Sequence, residues 1–584
     1  MGALVPRLSV LTCIYLPLMA LPAFAVRPPF TPKDLLAWRD IPSAEISGDG
    51  SQVVYTEHSG ATANLWVVSS KGGGARQLTS GAWMDSSPRW SPDGERLAWI
   101  SNRGGQSQIW VRSLKSDDAR AITGAGVEPL ALAWSPDGRS IAFTGRVPAI
   151  AAASWAPPEI ARLLWPRPAG SVRMFVVPAA GGDAERTGSD EVEFSGTPAW
   201  MPDGHSIVCA AAGQIFSIRL TDRALRELTR EEAIAEQPVP SPDGSKIAYL
   251  ARSSHPQYYA VRKLFVMNAD GSRVRSLAGT LDRDATDPAW SNDSRTVYFT
   301  ADDRGSTHVY AARNDGSARQ LTNRPERLEH FSLAANGRAA AVRTSATAGA
   351  EAIAFADDLP AGITVLASPN EHLLAEREIA PVEQIEFDSA GKQMQGWVIK
   401  PPGFDAARKY PLLLLAHGGR RGMWGPEFSM EPQVFADAGY VVLCVNPRGT
   451  PGYGEEFGDL LPGGNPGDAA DDLRHAVDFV IGKGFIDAAR VSVAGGVDAA
   501  WLLGHSPGFT KAVLRGLSRH DALRAAEWVG ASKAAVLVVA REGEDSAGEV
   551  YSTLSGKRAM LKLTGSAVAD RVIAMEAALA WMAY

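Results

Sequence analysis

One segment of the chain has the spacing that places a nucleophile on a sharp turn between a strand and a helix. A strand-like run over 490–494 leads into Gly495 and Gly496, and a helix-like stretch follows from Trp501. Where such a turn carries a nucleophilic serine, the motif is Gly-x-Ser-x-Gly and the hydroxyl is exposed above the sheet. Here Val497 stands near the nucleophile position. Because valine has no nucleophilic atom, the sequence predicts that this turn has lost covalent catalysis.

Two other candidate nucleophiles lie close by in the sequence. Residues 504–508 spell Gly-His-Ser-Pro-Gly, which matches Gly-x-Ser-x-Gly in letters with Ser506 at its centre. This run ends a predicted helix rather than a strand, so its glycine and proline are typical of a helix C-terminus. Asp498 lies between small residues and would be a carboxylate nucleophile, but no suitably placed histidine follows it. A position at a helix N-terminus, where the carboxylate offsets the dipole, is favoured for Asp498.

The remaining reactive side chains indicate neither a metal nor a cofactor. No histidine or cysteine cluster has the spacing of metal ligands, and no Gly-rich phosphate loop has the required continuation. His475 falls on the face of a predicted helix, where a solvated role is expected. Cys209 and Cys444 fall in different predicted domains on strand-like segments. We therefore expect both cysteines to be buried free thiols.

Seven copies of one pattern precede this region and predict a first domain. Each copy has an apolar residue, a Ser/Pro-Asp-Gly type of turn and a short alternating strand, and most have a tryptophan directly before the turn. Most turns follow one another at intervals of about 40–50 residues, the length of one four-stranded blade. The repeats predict a seven-bladed β-propeller over 40–370. One longer interval holds an insertion at about 146–170, which is either part of a binding face or a solvated loop.

After residue 370 the blade pattern stops and a different domain begins. The run 410–416 is continuously apolar, as in a parallel strand that is buried on both faces. Strand-like and helix-like segments then alternate towards the end of the chain. This alternation predicts a doubly wound, mostly parallel sheet over 371–584.

Composition and the first residues bear on partners and location. The formal net charge of −7 and the lack of a basic stripe argue against a nucleic-acid binder. Arg7, an apolar stretch over 8–21 and the sequence Ala-Phe-Ala at 23–25 predict a signal peptide over 1–25. An uncleaved membrane anchor is the alternative. We expect a periplasmic or secreted protein whose mature chain has no membrane span.

The most specific run in the chain is NPRGTPGYGEEF at 446–457. Together with the signal peptide, the propeller and the α/β domain, this run resembles the prolyl oligopeptidase family, in particular its acylaminoacyl-peptidase and dipeptidyl-peptidase-like members. The resemblance covers nearly the whole mature chain. It implies an α/β-hydrolase fold for 371–584, an opening helix within 26–39 and the activity of a serine peptidase.

The resemblance also assigns residues to the catalytic site. Gly418 and Gly419 match the oxyanion-hole loop of the family, although Arg420 stands where proline is usual. Asp545 follows a predicted strand and matches the family's catalytic acid, so it is expected to be a vestigial acid; an ordinary polar loop residue is the alternative. The family's histidine should follow the next strand, where 565–568 carries Gly-Ser-Ala-Val instead.

The family motif continues after Gly496 with Ser-Tyr-Gly-Gly, and this chain is four residues short before Gly504-His505. In one alignment Val497 replaces the serine and a later turn is deleted. In the other alignment the Ser-Tyr-Gly-Gly run itself is deleted. Both alignments leave the chain without the nucleophile, and the segment from this turn to Asp545 is also shorter than in the family.

These features predict three functions in order of preference. The first is a catalytically degenerate family member that binds peptides or an envelope protein between its domains. The second is an active serine-type peptidase or hydrolase with a rebuilt site. The third is a non-enzymatic scaffold in which the propeller alone binds a partner.

Overall fold

A computed structural model describes residues 27–583, with gaps at 117, 125, 149–169, 231, 255–258, 357–361, 418–421, 462–465, 531, 542–545 and 565–566. The expected signal peptide at 1–25 and most of the insertion at 146–170 lie outside the described residues. The described chain forms a β-propeller that is followed by an α/β domain.

The chain enters the propeller through one short helix, α1 (Asp34–Ala37). The helix expected within 26–39 is confined to these four residues, because Trp38 takes an extended backbone conformation and leads into the first strand. The ring of Trp38 stacks on that of Phe428 in the α/β domain, with 5.1 Å between the ring centroids. The entry segment is therefore packed against the second domain.

The propeller begins with five sheets, each built from four strands that follow one another in the chain and pair antiparallel. The strands of the first two sheets are β1 (Arg39–Ile46), β2 (Gln52–Ser59), β3 (Thr62–Ser69), β4 (Arg76–Gln77), β5 (Asp85–Trp90), β6 (Arg96–Ser101), β7 (Gln108–Ser113) and β8 (Ala119–Ala121). Those of the next three are β9 (Glu128–Trp134), β10 (Ser140–Val147), β11 (Ser171–Pro178), β12 (Glu185–Thr187), β13 (Phe194–Trp200), β14 (Ser206–Ala211), β15 (Gln214–Arg219), β16 (Leu225–Glu227), β17 (Ala233–Pro240), β18 (Lys246–Ser253), β19 (Lys263–Asn268) and β20 (Arg275–Ser276).

The last part of the propeller is one connected sheet of eight strands. Its strands are β21 (Ala285–Trp290), β22 (Thr296–Asp303), β23 (Ser306–Arg313), β24 (Ala318–Gln320), β25 (Arg327–Leu333), β26 (Arg338–Ser345), β27 (Ala348–Ala356) and β28 (Thr364–Ala367). A single parallel bridge between Thr307 and Arg327 joins two antiparallel halves. The described propeller therefore has five sheets of four strands and one of eight, rather than the seven separate sheets that the repeats predict.

The repeated turns form as their residue types predict. In the turn after β5, the Ser91 hydroxyl donates to the Asp93 carboxylate at 2.5 Å, and that carboxylate accepts the Glu95 N–H at 3.0 Å. The hydrogen bond from Ser91 contributes most to lowering the pKa of Asp93. Gly94 takes φ +70°, a conformation that a side chain would strain. Each turn is thus closed by its own side chains.

The tryptophan that precedes four of the repeated turns connects its sheet to the preceding one. In four sheets its indole N–H donates to a main-chain carbonyl in the first strand of the sheet before: Trp90 to Glu45 at 3.0 Å, Trp134 to Arg89 at 3.0 Å, Trp200 to Ala133 at 3.1 Å and Trp290 to Val239 at 2.9 Å. The indole rings also fill space between neighbouring sheets. This double contact explains why tryptophan recurs at one place in the repeat.

The first and last sheets of the propeller meet without sharing a strand. Their contact is an apolar cluster that includes Ile41 from β1 and Val342 from β26. Beside this cluster the Asn370 side chain binds both main-chain groups of Arg39, accepting its N–H at 2.9 Å and donating to its carbonyl at 2.6 Å. Side-chain contacts therefore close the ring where strand pairing does not.

The α/β domain is built on an eight-stranded sheet with the order β29-β30-β32-β31-β33-β34-β35-β36. The pairs β29/β30 and β30/β32 are antiparallel, and the rest of the sheet is parallel. The strands are β29 (Val382–Ser389), β30 (Lys392–Ile399), β31 (Tyr410–Leu415), β32 (Val441–Asn446), β33 (Ile486–Gly495), β34 (Phe509–Arg515), β35 (Ala535–Arg541) and β36 (Arg558–Leu563).

Helices cover both faces of this sheet. The short helix α2 (Glu371–Ala375) precedes the sheet and contacts β27 of the propeller. The helices of the α/β domain are α3 (Met430–Asp437), α4 (Glu455–Gly458), α5 (Gly467–Gly482), α6 (Val497–His505), α7 (Arg519–Val529), α8 (Ser546–Thr553) and α9 (Ala567–Ala583). In α5 the buried residues include Leu473, Val477 and Val480, at the spacing of one helix face. That face packs on the apolar side chains of the strands.

The two domains are in direct contact around residues 423–454. The Arg304 N–H donates to the Gly452 carbonyl at 2.9 Å across the interface. A Cβ at Gly425 would lie 2.0 Å from the Gly305 carbonyl oxygen, so this approach requires glycine. Nearby, Arg327 of the propeller lies 4.0 Å from the Glu427 carboxylate of the α/β domain, and burial raises the pKa of Glu427 despite this arginine.

Candidate active site

One cavity of the α/β domain opens at the carboxyl ends of its parallel strands. It has a volume of about 510 Å³ and is lined by the ends of β31, β33, β34, β35 and β36 and by part of α9. The carboxyl edge of such a sheet is where open α/β folds bind ligands. The size suits a small ligand or a short piece of peptide.

The strand-turn-helix segment predicted from the sequence borders this cavity. β33 ends at Gly495, Gly496 follows, and Val497 is the first residue of α6. A Cβ at Gly495 would lie 2.6 Å from the Ala416 carbonyl oxygen, so the close approach of β33 to the end of β31 needs glycine. The partly buried side chain of Val497 lines the cavity. An isopropyl group at this place offers a contact surface and no reactive atom.

The structure also locates the two rival nucleophiles of the sequence. Asp498 is buried in the first turn of α6, where a negative charge is favoured by the helix dipole. Ser506 follows the last residue of α6 in extended conformation. The letters Gly-His-Ser-Pro-Gly therefore end a helix and do not form a nucleophile turn. Gly504 is needed there for packing, because a Cβ would lie 2.5 Å from the Trp528 carbonyl oxygen.

Several predicted site residues lie outside the described residues. Gly418 and Gly419, expected in the oxyanion hole, and Asp545, expected as the vestigial acid, are among them. His417, directly before the two glycines, lines the cavity, and its ring centroid lies 6.3 Å from that of Trp424. The assignments of Gly418 and Gly419 to the oxyanion hole and of Asp545 to the catalytic acid remain predictions.

The cavity also contains an ion pair that the sequence motifs do not reveal. Arg515, the last residue of β34, contacts both carboxylate oxygens of Glu431 on α3 through Nη2, at 2.6 and 2.8 Å. Burial alone would lower the pKa of Arg515, but the Glu431 carboxylate raises it, so the guanidinium stays charged. The only sequence signal for Arg515 is a basic residue at the end of an apolar strand.

A serine, a histidine and an aspartate meet elsewhere in the α/β domain. The Ser389 hydroxyl lies 2.7 Å from Nδ1 of His475 and 2.5 Å from Oδ1 of Asp472. Asp472 also accepts two hydrogen bonds from the Arg448 side chain, at 2.7 and 2.8 Å. Ser389 is only 1% exposed, so its hydroxyl cannot meet a substrate. The cluster fixes the 446–457 loop, and the solvated role expected for His475 is wrong because its ring nitrogens contact Ser389 and Arg474.

Both cysteines of the described chain are buried and form no disulfide. Burial raises the pKa of the Cys209 and Cys444 thiols above their ordinary value. Within the described ranges there is no group of three or more His, Cys, Asp or Glu side chains arranged to hold a metal ion. No helix in the same ranges is long and apolar enough to cross a membrane.

Comparison with known proteins links both domains to described families. Residues 41–155 match the TolB beta propeller domain, and residues 426–528 match the prolyl oligopeptidase family. The chain is 30% identical over 321 residues to dipeptidyl-peptidase 5 of Trichophyton equinum, an alignment that covers 52% of this chain and 42% of that protein. It is 30% identical over 289 residues to a probable dipeptidyl-peptidase 5 of Aspergillus clavatus, covering 47% and 40%. The matched region thus spans about two fifths of these relatives.

Two solved structures resemble nearly the whole chain. The acylaminoacyl peptidase of Pyrococcus horikoshii superposes with a TM-score of 0.79 at 18% identity, covering 95% of this chain and 97% of that one. A puromycin-hydrolyzing peptidase of Mycobacterium tuberculosis superposes with a TM-score of 0.75 at 14% identity, covering 95% and 96%. At these identities the likeness establishes the arrangement of a propeller and an α/β domain.

Proposed function

We propose that this chain, which belongs to the prolyl oligopeptidase family, binds peptides at the carboxyl edge of its α/β sheet without hydrolysing them efficiently. The observation that carries the proposal is Val497. It is the first residue of α6, it follows Gly495 at the end of β33 and then Gly496, and it borders the cavity at the carboxyl edge of the sheet. A cavity at the carboxyl edge of the sheet whose strand-to-helix turn carries no nucleophilic atom favours binding over turnover.

The chain also lacks a second element of the catalytic chemistry. The sequence contains no histidine after His520, whereas the family places its histidine after the strand that here ends at Leu563. A serine nucleophile depends on such a base to take its proton. Loss of these groups leaves only about 10³–10⁴-fold acceleration over water from the oxyanion hole and from binding.

The buried cluster of Ser389, His475 and Asp472 does not supply a replacement. In a working triad the histidine lies between the serine and the acid, and the serine is open to the substrate. Here the serine contacts both partners itself and is shielded from solvent. This arrangement argues against a rebuilt hydrolase at that cluster.

Two further features belong to the proposal. We infer a propeller of seven blades. Five blades are the sheets of four strands, and the other two are the halves of the eight-stranded sheet, which only the parallel bridge between Thr307 and Arg327 joins. We also infer export to the periplasm or the cell exterior, which rests on the signal-peptide pattern at 1–25. The partner would then be a peptide or an envelope protein that is present outside the cytoplasm.

The first experiment combines fluorophosphonate labelling of the purified chain with a panel of aminoacyl and acyl-peptide chromogenic substrates. The proposal expects no label and no turnover. Serine-specific labelling together with turnover would refute it, and mapping of the modified peptide would then identify the active serine.

The second experiment measures binding directly. The immobilised chain is incubated with a random pentapeptide library, and retained peptides are quantified by mass spectrometry. Val497→Trp fills the cavity and is expected to abolish retention, whereas Leu523→Trp, at an exposed position of α7 outside the cavity, should leave retention unchanged. Retention that survives Val497→Trp would place binding on the propeller and contradict the proposal.

A further inference from the structure

The charged groups of the cavity select for one end of a peptide. Arg515 projects from the carboxyl end of β34 and uses a single nitrogen, Nη2, to contact both oxygens of Glu431. A guanidinium has five N–H donors in a rigid fork. Among the described residues, Nε and Nη1 of Arg515 have no hydrogen-bond partner. The side chain is 38% exposed, so these donors remain accessible from the cavity.

The acidic side chains around Arg515 already have partners. Both oxygens of Glu431 are used by Arg515, and Asp521 accepts the Ser518 hydroxyl at 2.7 Å. These contacts occupy the carboxylates, whereas the N–H donors at Nε and Nη1 of Arg515 have no partner among the described residues. Because Glu431 holds Nη2 of Arg515, little conformational freedom is lost when a ligand accepts a hydrogen bond from Nε or Nη1.

A second arginine lines the same cavity from another element. Arg571, in the first turn and a half of α9, is exposed, and no hydrogen bond or ion pair of its side chain is found in the part of the chain that the structure describes. The start of α6 at Val497 forms part of the same wall. Arg515 and Arg571, from different elements, therefore border one concave site that Arg541 also lines.

We propose that Arg515 and Arg571 bind the C-terminal carboxylate of the peptide that occupies the cavity. This inference rests on the proposed function and names the ligand class: peptides with a free C-terminus, whose last residue contacts the apolar wall at Val497. A carboxylate oxygen can accept from Nε or Nη1 of Arg515 and from the guanidinium of Arg571, and charge-assisted hydrogen bonds of this kind are about twice as strong as neutral ones. The carboxylate is the one group that every unmodified peptide ligand would present to this pair.

The test uses one random pentapeptide library synthesised in two forms, with a C-terminal carboxylate and with a C-terminal amide. Retention of each form on the immobilised full-length chain is quantified by mass spectrometry. The free acids should be retained about ten- to a hundredfold more than the amides. Arg515→Gln should reduce the acids to the level of the amides. Arg524→Gln on α7, whose guanidinium stacks on Trp528, is the matched control and should keep the preference.

A further variant guards against a folding defect in Arg515→Gln, which leaves Glu431 without its partner. Arg571→Gln changes an exposed side chain and should fold normally while lowering the preference for acids by about tenfold. Equal retention of acids and amides would overturn the inference and leave the proposed function standing. Retention of neither library would overturn the proposed function itself. An acid preference that persists in both arginine variants would also overturn the inference.

Discussion

Asp437 of the α/β domain contacts the entry segment, and its substitution tests how burial of this carboxyl affects the stability of the protein. This carboxylate ends α3 and accepts a short hydrogen bond from the Phe30 N–H, while its Oδ1 is buried without a partner among the described residues. Burial raises the pKa of Asp437 from its ordinary 3.8 to about 6, and the Phe30 N–H only partly opposes this. We predict that Asp437→Asn stabilises the protein above this pKa.

The direction of the expected stability change follows from the preference of the folded state for the protonated carboxyl of Asp437. The contribution of Asp437 to stability is fully present below its unfolded pKa of 3.8 and is lost as pH rises through about 6. A pKa rise of this size corresponds to about 3 kcal/mol for a fully buried group, and solvent screening of a half-buried carboxyl reduces it to about 1 kcal/mol. Asparagine stays neutral at every pH and still accepts from Phe30.

Urea denaturation followed by tryptophan fluorescence measures this effect. At about pH 8 the variant should be more stable than the parent chain by about 1 kcal/mol, and at about pH 4 the two should be equal. Asp183→Asn, at an exposed turn of the propeller, is the control and should show no pH-dependent difference. A variant that is less stable at about pH 8, or a difference that stays constant between the two pH values, would refute the reasoning.

Three further outcomes are expected. Cys209 and Cys444 should not react with a thiol reagent at about pH 8 until the chain is unfolded, because burial raises their pKa values; rapid labelling of the folded protein would contradict this. Trp134→Phe should cost about 1 kcal/mol of stability in denaturation, since the indole N–H loses the Arg89 carbonyl at 3.0 Å; an unchanged midpoint would count against the contact between sheets. Val497→Ser should remain unlabelled by fluorophosphonate, because the sequence has no histidine after His520, where the family places its base; a labelled variant would show that another group, such as His417 in the cavity lining, acts as the base.

Local chemistry explains which parts of the fold were predictable from the sequence. The turn residues bond within a few positions of one another, as Ser91 and Asp93 do, so their types alone indicate the turn. The apolar run at 410–416 predicts a buried parallel strand, and β31 (Tyr410–Leu415) confirms it. The strand expected directly before 565–568 is confirmed as β36 (Arg558–Leu563).

Contacts between distant residues explain what the sequence did not predict. Arg515 and Glu431 are 84 positions apart, and nothing in either neighbourhood indicates the other. A solvated role is expected for His475 because it falls on the face of a predicted helix, yet β29 brings Ser389 against it. The tryptophans were visible as a repeat, but their carbonyl partners in the preceding sheet follow from the packing of one sheet on another. The site residues Gly418, Gly419 and Asp545 stay predictions.

The closure of the propeller ring at Asn370 has a consequence for the ageing of the protein. Its side-chain amide donates to and accepts from the main chain of Arg39 in a site where it is only 2% exposed. Hydrolysis of that amide, a slow spontaneous reaction of asparagine, would replace the donor with a second oxygen that faces the Arg39 carbonyl. The buried carboxylate would then lack one hydrogen bond and carry a charge. Deamidation of Asn370 would thus weaken the closure of the ring at this contact and leave the apolar cluster around Ile41 and Val342 to hold the two sheets together.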